Sequence, residues 1–111
     1  MSDDDTLLSW ACRHKQAAVA RWLLGQGAEV DGTTDGGATA LIIASDIGNL
    51  ECVRVLLDAK AAVHNARADG ATALFMAAQE GRPECVTLLL DAGGTVDRQA
   101  AEGAAGRLLG L

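Results

Sequence analysis

The side chains able to do chemistry are Ser9 and Ser45, the thiols Cys12, Cys52 and Cys85, the imidazoles of His14 and His64, and an acidic run at Asp3-Asp4-Asp5. A nucleophilic serine is usually presented on a sharp strand-to-helix turn of the form G-x-S-x-G. Neither serine has that context, and both fall at helical core-type positions. Cys12 and His14 suggest a thiol–imidazole pair, but residues two apart on a helix diverge. No C-x-x-C or H-x-x-x-H spacing offers a zinc site. The acidic run lacks the Asp-x-Asp-x-Asp-Gly loop and terminal Glu of a calcium site, so it reads as a solvated tail. The pairs Gly36-Gly37 and Gly93-Gly94 are turn and cap glycines, not a G-x-G-x-x-G phosphate cradle. Catalysis by this chain alone is therefore not expected, and neither a cofactor nor a metal is implied.

Composition bounds the alternatives. A length of 111 residues suits one domain, 1–111, with one continuous core. Apolar residues are 50% of the chain but aromatics only 3%, which calls for close packing of alanine and aliphatic side chains in thin layers. A formal charge of −6 leaves no basic stripe to displace counterions from a polyphosphate, so nucleic acid is excluded as a partner. No stretch reaches the roughly 18 apolar residues of a membrane span, and an acidic start is the reverse of a signal peptide. The expected setting is the cytosol or nucleus, with no membrane partner.

The elements that position these residues follow from a repeat. A shift of 33 residues carries Gly37-Ala38-Thr39-Ala40-Leu41 onto Gly70-Ala71-Thr72-Ala73-Leu74. It also carries Glu51-Cys52-Val53 onto Glu84-Cys85-Val86, and Leu56-Leu57-Asp58-Ala59 onto Leu89-Leu90-Asp91-Ala92. One step further back the match is fainter, through Thr6, Leu8, Ala11, Arg21, Leu23 and Leu24. Units fall at about 1–33, 34–66 and 67–99, with a truncated fourth at 100–111. Apolar periodicity and punctuation predict helices near 6–14, 17–24, 39–47, 50–59, 72–80 and 83–92, joined by Gly/Asp-rich turns. Cys52 and Cys85 are repeat equivalents; stacked helices lie roughly 8–10 Å apart, too far for a disulfide, which needs Cα atoms within roughly 7 Å. All three cysteines are expected to be free. Trp10 and Trp22, both in the first unit, are expected to cover the open end of the stack. In the fourth unit the sequence predicts a short helix at 104–109, docked through Leu109 onto Met76, Val86 and Leu90, with weak self-association there.

A repeat of this length resembles the ankyrin repeat, G-x-T-P-L-H-x-A-A followed by G-H-x-x-I-V-x-L-L-L. Gly70-Ala71-Thr72-Ala73-Leu74-Phe75-Met76-Ala77-Ala78 carries the first half and Gly81-Arg82-Pro83-Glu84-Cys85-Val86-Thr87-Leu88-Leu89-Leu90 the second. The family's Pro is Leu7, Ala40 and Ala73 here, its His is Ser9, Ile42 and Phe75, and two of its glycines are Lys15 and Lys60. The resemblance implies an all-α solenoid of stacked helix–turn–helix units and a non-catalytic, monomeric scaffold that binds another protein. Carried over position by position, the binding face would comprise Arg13 and His14; Asp35, Gly36, Ala38, Asp46 and Ile47; and Ala68, Asp69, Ala71, Gln79 and Glu80. Ile47, among carboxylates, is the expected anchor, with Asp46, Asp69 and Glu80 receiving basic groups. The competing expectation is an assembly module whose exposed ends make homotypic contacts while the groove stays idle.

Overall fold

The computed structural model describes residues 6–93. The acidic lead-in and the truncated fourth unit, including its expected helix and the Leu109 contact, lie outside the described residues. Six helices follow in order: α1 Leu7–Arg13, α2 Ala17–Gly25, α3 Ala40–Ile47, α4 Leu50–Asp58, α5 Ala73–Gln79 and α6 Pro83–Asp91. The expected spans agree to within about two residues at each end. The starts have a common cause. Thr6, Thr39 and Thr72 stand one repeat apart in extended conformation, and each side-chain oxygen accepts an amide hydrogen from the first turn: Ser9 at 3.0 Å, Ile42 at 3.3 Å and Phe75 at 3.1 Å. Pro83 opens α6, where its missing amide hydrogen costs nothing.

Helices of seven to nine residues are marginal in water on their own, so packing must hold them. α1, α3 and α5 form one layer and α2, α4 and α6 the other; each helix lies against its own hairpin mate and against its counterpart in the next unit. The core is one cluster running through the stack, with Leu41, Val53, Leu56 and Leu89 fully enclosed and Ala11, Ala44 and Ala77 where the inner helices approach. Among the described residues the extended structure amounts to isolated bridges, Thr33 to Thr39 and Ala66 to Thr72, at the bases of the projecting turns. The turns are tied to each other as well: Ala62 N–H donates to Asp31 Oδ1 at 2.9 Å, and Ala68 N–H to the Gly36 carbonyl at 3.1 Å.

Asn49 joins the first two units. Its Oδ1 accepts the Cys52 amide at 3.3 Å and so caps α4, while Nδ2 donates to the Cys12 carbonyl at 3.2 Å and to Cys52 Sγ at 3.1 Å. Arg82 holds the equivalent position in the third unit; its Nε donates to the Asp46 carbonyl at 3.3 Å. Its guanidinium lies over Gly48, where a Cβ would come within 2.8 Å of it, and φ at Gly48 is 76°. The two lysines that replace family glycines carry the conformation those glycines exist to provide, with φ of 60° at Lys15 and 66° at Lys60.

Two stability outcomes follow. Replacing Lys15 or Lys60 by glycine should raise the urea midpoint, because relief of left-handed strain, about 1–2 kcal/mol, exceeds the added chain entropy of about 0.4–1 kcal/mol. A lowered midpoint at both sites would show that the lysine side chains contribute more than the strain removes. Asn49→Ala should cost about 2–4 kcal/mol, from the lost cap and from buried groups left without partners, measured by the same unfolding curve.

Candidate functional site

The reactive groups are buried or turned apart. Ser9 is enclosed and its Oγ receives the Thr6 hydroxyl at 2.9 Å. Ser45 is equally enclosed, and its Oγ has no hydrogen-bond partner among the described residues; the equivalent positions hold Cys12 and Ala78. The three cysteines are free and buried. Cys12 lies beside Cys52, a neighbour that repeat equivalence hides by pairing Cys52 with Cys85. A hydrogen bond to Cys52, with burial added, drives the Cys12 thiol far above the ordinary thiol range, while Cys52 is drawn down by the same bond and by Asn49. Burial pushes Cys85 up. Thiols with no solvent contact do not serve as nucleophiles, whatever their acidity. His14 is exposed, its ring tilted by 40° against that of Trp10 with centroids 4.7 Å apart, whereas Cys12 is buried. Among the described residues no group of three or more His, Cys, Asp or Glu side chains is placed to hold a metal, and no helix is long and apolar enough to cross a membrane.

What is left is surface along the inner layer. Asp35, Gly36, Ala68 and Asp69 are exposed at the turn tips, and Arg13, His14, Gln79 and Glu80 are exposed at the C-terminal ends of α1 and α5. Asp46 and Ile47 are half-buried at the end of α3, and Ala38 is half-buried at a turn base. Ala71 is a correction: at 4% exposure it belongs to the core cluster, because Ala71's carbonyl and amide are spent inside the turn, on Arg67 N–H and on Asp69 Oδ1. The tips and the helix ends also form two rows rather than one patch. The turns lead into the N-termini of the inner helices, and α3 has eight residues, so the rows stand about 12 Å apart at roughly 1.5 Å per residue.

The electrostatics differ from a plain acidic groove. Asp69 is already engaged: Arg67 Nε reaches Oδ1 at 3.2 Å and Nη2 reaches Oδ2 at 2.7 Å. The Arg67 guanidinium beside it, with help from the Ala71 amide, holds the Asp69 carboxyl below the usual carboxylate range; Arg67 in turn is pushed up, chiefly by the hydrogen bond to Asp69 and less by the charge of Asp46. A bidentate pair of this geometry fixes direction as much as charge. Arg67 and Arg82 were both missed in the sequence. The signals were present: Arg67 sits two residues before Asp69 in a turn, and Arg82 replaces Asn49 directly after the repeated glycine Gly48/Gly81. Neighbouring turns also approach closely, since a Cβ at Gly37, where φ is 84°, would press on the Ala68 amide at 3.1 Å. Two clefts among the described residues are small, one of about 200 Å³ at the α5–α6 turn and one of about 310 Å³ between α2 and α4, at or below the lower end for small-molecule sites.

Two layers of short antiparallel helices, repeated every 33 residues with threonine-capped inner helices and projecting turns, now stand beside a direct comparison: a family model described as ankyrin repeats, in three copies, matches residues 8–100. The chain belongs to the ankyrin-repeat family. Ankyrin repeats are generally protein–protein interaction modules, and the family is typically non-catalytic. No curated protein matches the chain closely enough to serve as a relative.

The Arg67–Asp69 pair yields a measurable sign. A carboxylate whose folded pKa is depressed contributes stability above its ordinary value near 3.9 and loses that contribution as pH falls through the folded pKa. Carbon-detected titration should place the Asp69 midpoint below the ordinary carboxylate range, and Arg67→Ala should raise it. An Asp69 midpoint unmoved by Arg67→Ala would show that the amide of Ala71 alone sets it.

Proposed function

We propose that this ankyrin-repeat chain is a non-catalytic scaffold that holds a partner protein along the exposed ends and turn tips of its inner layer, with Ile47 as the apolar anchor. The observation that carries this reading is the placement of Ile47. It is half-buried at the end of α3, at a position where the neighbouring units carry exposed His14 and Glu80, and it is not among the apolar side chains packed on the core cluster. An isoleucine without core duty, flanked by Asp46 and by the Arg82 side chain that donates to the Asp46 carbonyl, has the make-up of an interface anchor: an apolar centre with a charged rim. Asp35, Asp46 and Glu80 are the carboxylates offered to basic groups of the partner. Asp69 acts differently, by holding Arg67 in place, so the surface also presents one oriented cation that fits a partner acid between basic residues. A reducing compartment, cytosol or nucleus, suits three unpaired cysteines.

The decisive experiment is affinity capture with the wild-type chain, identification of the bound protein, and titration of that protein against variants. Ile47→Asp should weaken binding at least about tenfold, or about 1.4 kcal/mol, and Asp46→Asn by less, with helicity unchanged by circular dichroism. Affinity should fall modestly with added salt, since exposed carboxylates are screened over roughly 8 Å at physiological ionic strength. A partner that survives Ile47→Asp and is lost on Trp22→Glu would overturn the groove reading in favour of an end-on contact.

A further inference from the structure

The joint between the first two units holds a pair of thiols. Cys12, near the end of α1, and Cys52, in the first turn of α4, are both 0% exposed, and their side chains are hydrogen-bonded to each other. A single primary amide spans the two backbones: Asn49 Nδ2 donates to the Cys12 carbonyl at 3.2 Å and to Cys52 Sγ at 3.1 Å, while Oδ1 accepts the Cys52 amide at 3.3 Å. The pairing is diagonal, and a step of one period does not reproduce it. At the next joint the corresponding residues are Ser45 and Cys85, so a hydroxyl stands where the first joint has a thiol. That hydroxyl has no hydrogen-bond partner among the described residues, and Cys85 answers chiefly to its own burial.

The two thiols of the pair are not equivalent. The bond from Cys12 and the amide of Asn49 both favour a negative sulfur at Cys52, with the Arg21 charge adding to them against burial and the Glu51 charge, and the Cys52 thiol is drawn down. Cys12 is driven up by the same bond and by burial. This is the division between a thiol that attacks an oxidant and a thiol that resolves the product. Closed, the joint keeps an oxidant from either sulfur. The bond from Asn49 to Cys52 Sγ, however, lies within the first turn of α4 and does not depend on the first unit.

We propose that Cys12 and Cys52 form a redox site that takes a hydroperoxide as oxidant and closes to a disulfide, locking the first unit onto the second. The oxidant meets Cys52 when the joint opens locally, as folded chains do at equilibrium. The Cys52 thiolate attacks one peroxide oxygen and the O–O bond breaks. The sulfur is left as a sulfenic acid, and the departing oxygen takes up the thiol's proton as water or an alcohol. When the joint recloses, the Cys12 sulfur attacks that of Cys52, the S–O bond breaks, and the hydroxyl leaves with the Cys12 proton as water. Two thiols have lost two hydrogens and one peroxide has been reduced. The sulfurs pass from hydrogen-bond contact to a covalent separation of about 2.05 Å, and the closed loop between them constrains the unfolded chain. Two equivalents of a small thiol restore the pair by exchange.

Hydrogen peroxide added to the folded, full chain tests this. Of the three free thiols, one should remain after oxidation and unfolding; peptide mapping should place it at Cys85 and find Cys12 joined to Cys52 within one chain. The oxidised chain should have a raised urea midpoint, which excess reductant returns to its starting value. Thiol loss should speed up in urea too dilute to change helicity, since opening gates the attack. Cys12→Ser should stop at a Cys52 sulfenic acid that dimedone traps, whereas Cys52→Ser should keep both remaining thiols. Three thiols surviving a dose of peroxide that oxidises a small free thiol would overturn the proposal, and that result needs no variant to fold. So would a cross-link through Cys85, a cross-link between chains, or a disulfide that lowers the urea midpoint.

Discussion

A pair of helices seven to nine residues long has one apolar stripe and nothing of its own to cover it, so this structure depends on the joints between units more than on any unit. The joint between the first two is the most demanding, because it combines alanine-lined helix contact with a buried polar side chain. Asn49 can sit there because each of its polar atoms finds a partner: the oxygen caps α4, and the nitrogen meets a carbonyl and a thiol of the same joint. A buried amide satisfied in this way fixes register, since a slide of one residue along the neighbouring helix would leave it without a partner. Arg82 meets the same need at the next joint by a different route, from the solvent side and across the backbone of Gly48.

Much of this was legible in the sequence for a simple reason. When one pattern is written three times, the positions that must stay apolar and the positions that must cap a helix stand out by coincidence alone. The helix spans, and the two places where a lysine stands for a glycine, followed from asking what each position does in every copy. The same procedure hides whatever is diagonal. Aligning Cys52 with Cys85 concealed that Cys52 touches Cys12, and aligning Asn49 with Arg82 concealed that two unlike side chains do one job. Ala71 was taken for surface because the family's binding positions were carried over onto it; its backbone bonds pull it inward, and a periodicity has no access to that.

The surface reads differently once its charges are paired. A list of carboxylates at the inner edge suggests a uniformly acidic strip, yet the strip contains an arginine fixed by one of those acids. An oriented guanidinium presents a direction as well as a sign, whereas loose carboxylates present only a sign. A partner that matched the sum of charges but not their order would meet a like charge where it needs an opposite one, and discrimination of that kind is worth more to an interaction module than attraction. The family supplies the shape of the surface; the order of charge along it belongs to this chain.

The pattern of packing carries one further consequence. Every substantial helix contact joins a helix to its hairpin mate or to the corresponding helix of the adjacent unit, so contacting residues are separated along the chain by little more than one period. Bringing them together closes loops of similar and modest length, and the entropic cost of each is nearly the same. The molecule accordingly has no keystone whose formation must await the meeting of distant ends. It can grow by accretion from whichever joint forms first, and it can shed a terminal unit while the remainder keeps its shape, as a zipper opens from its ends and not from its middle.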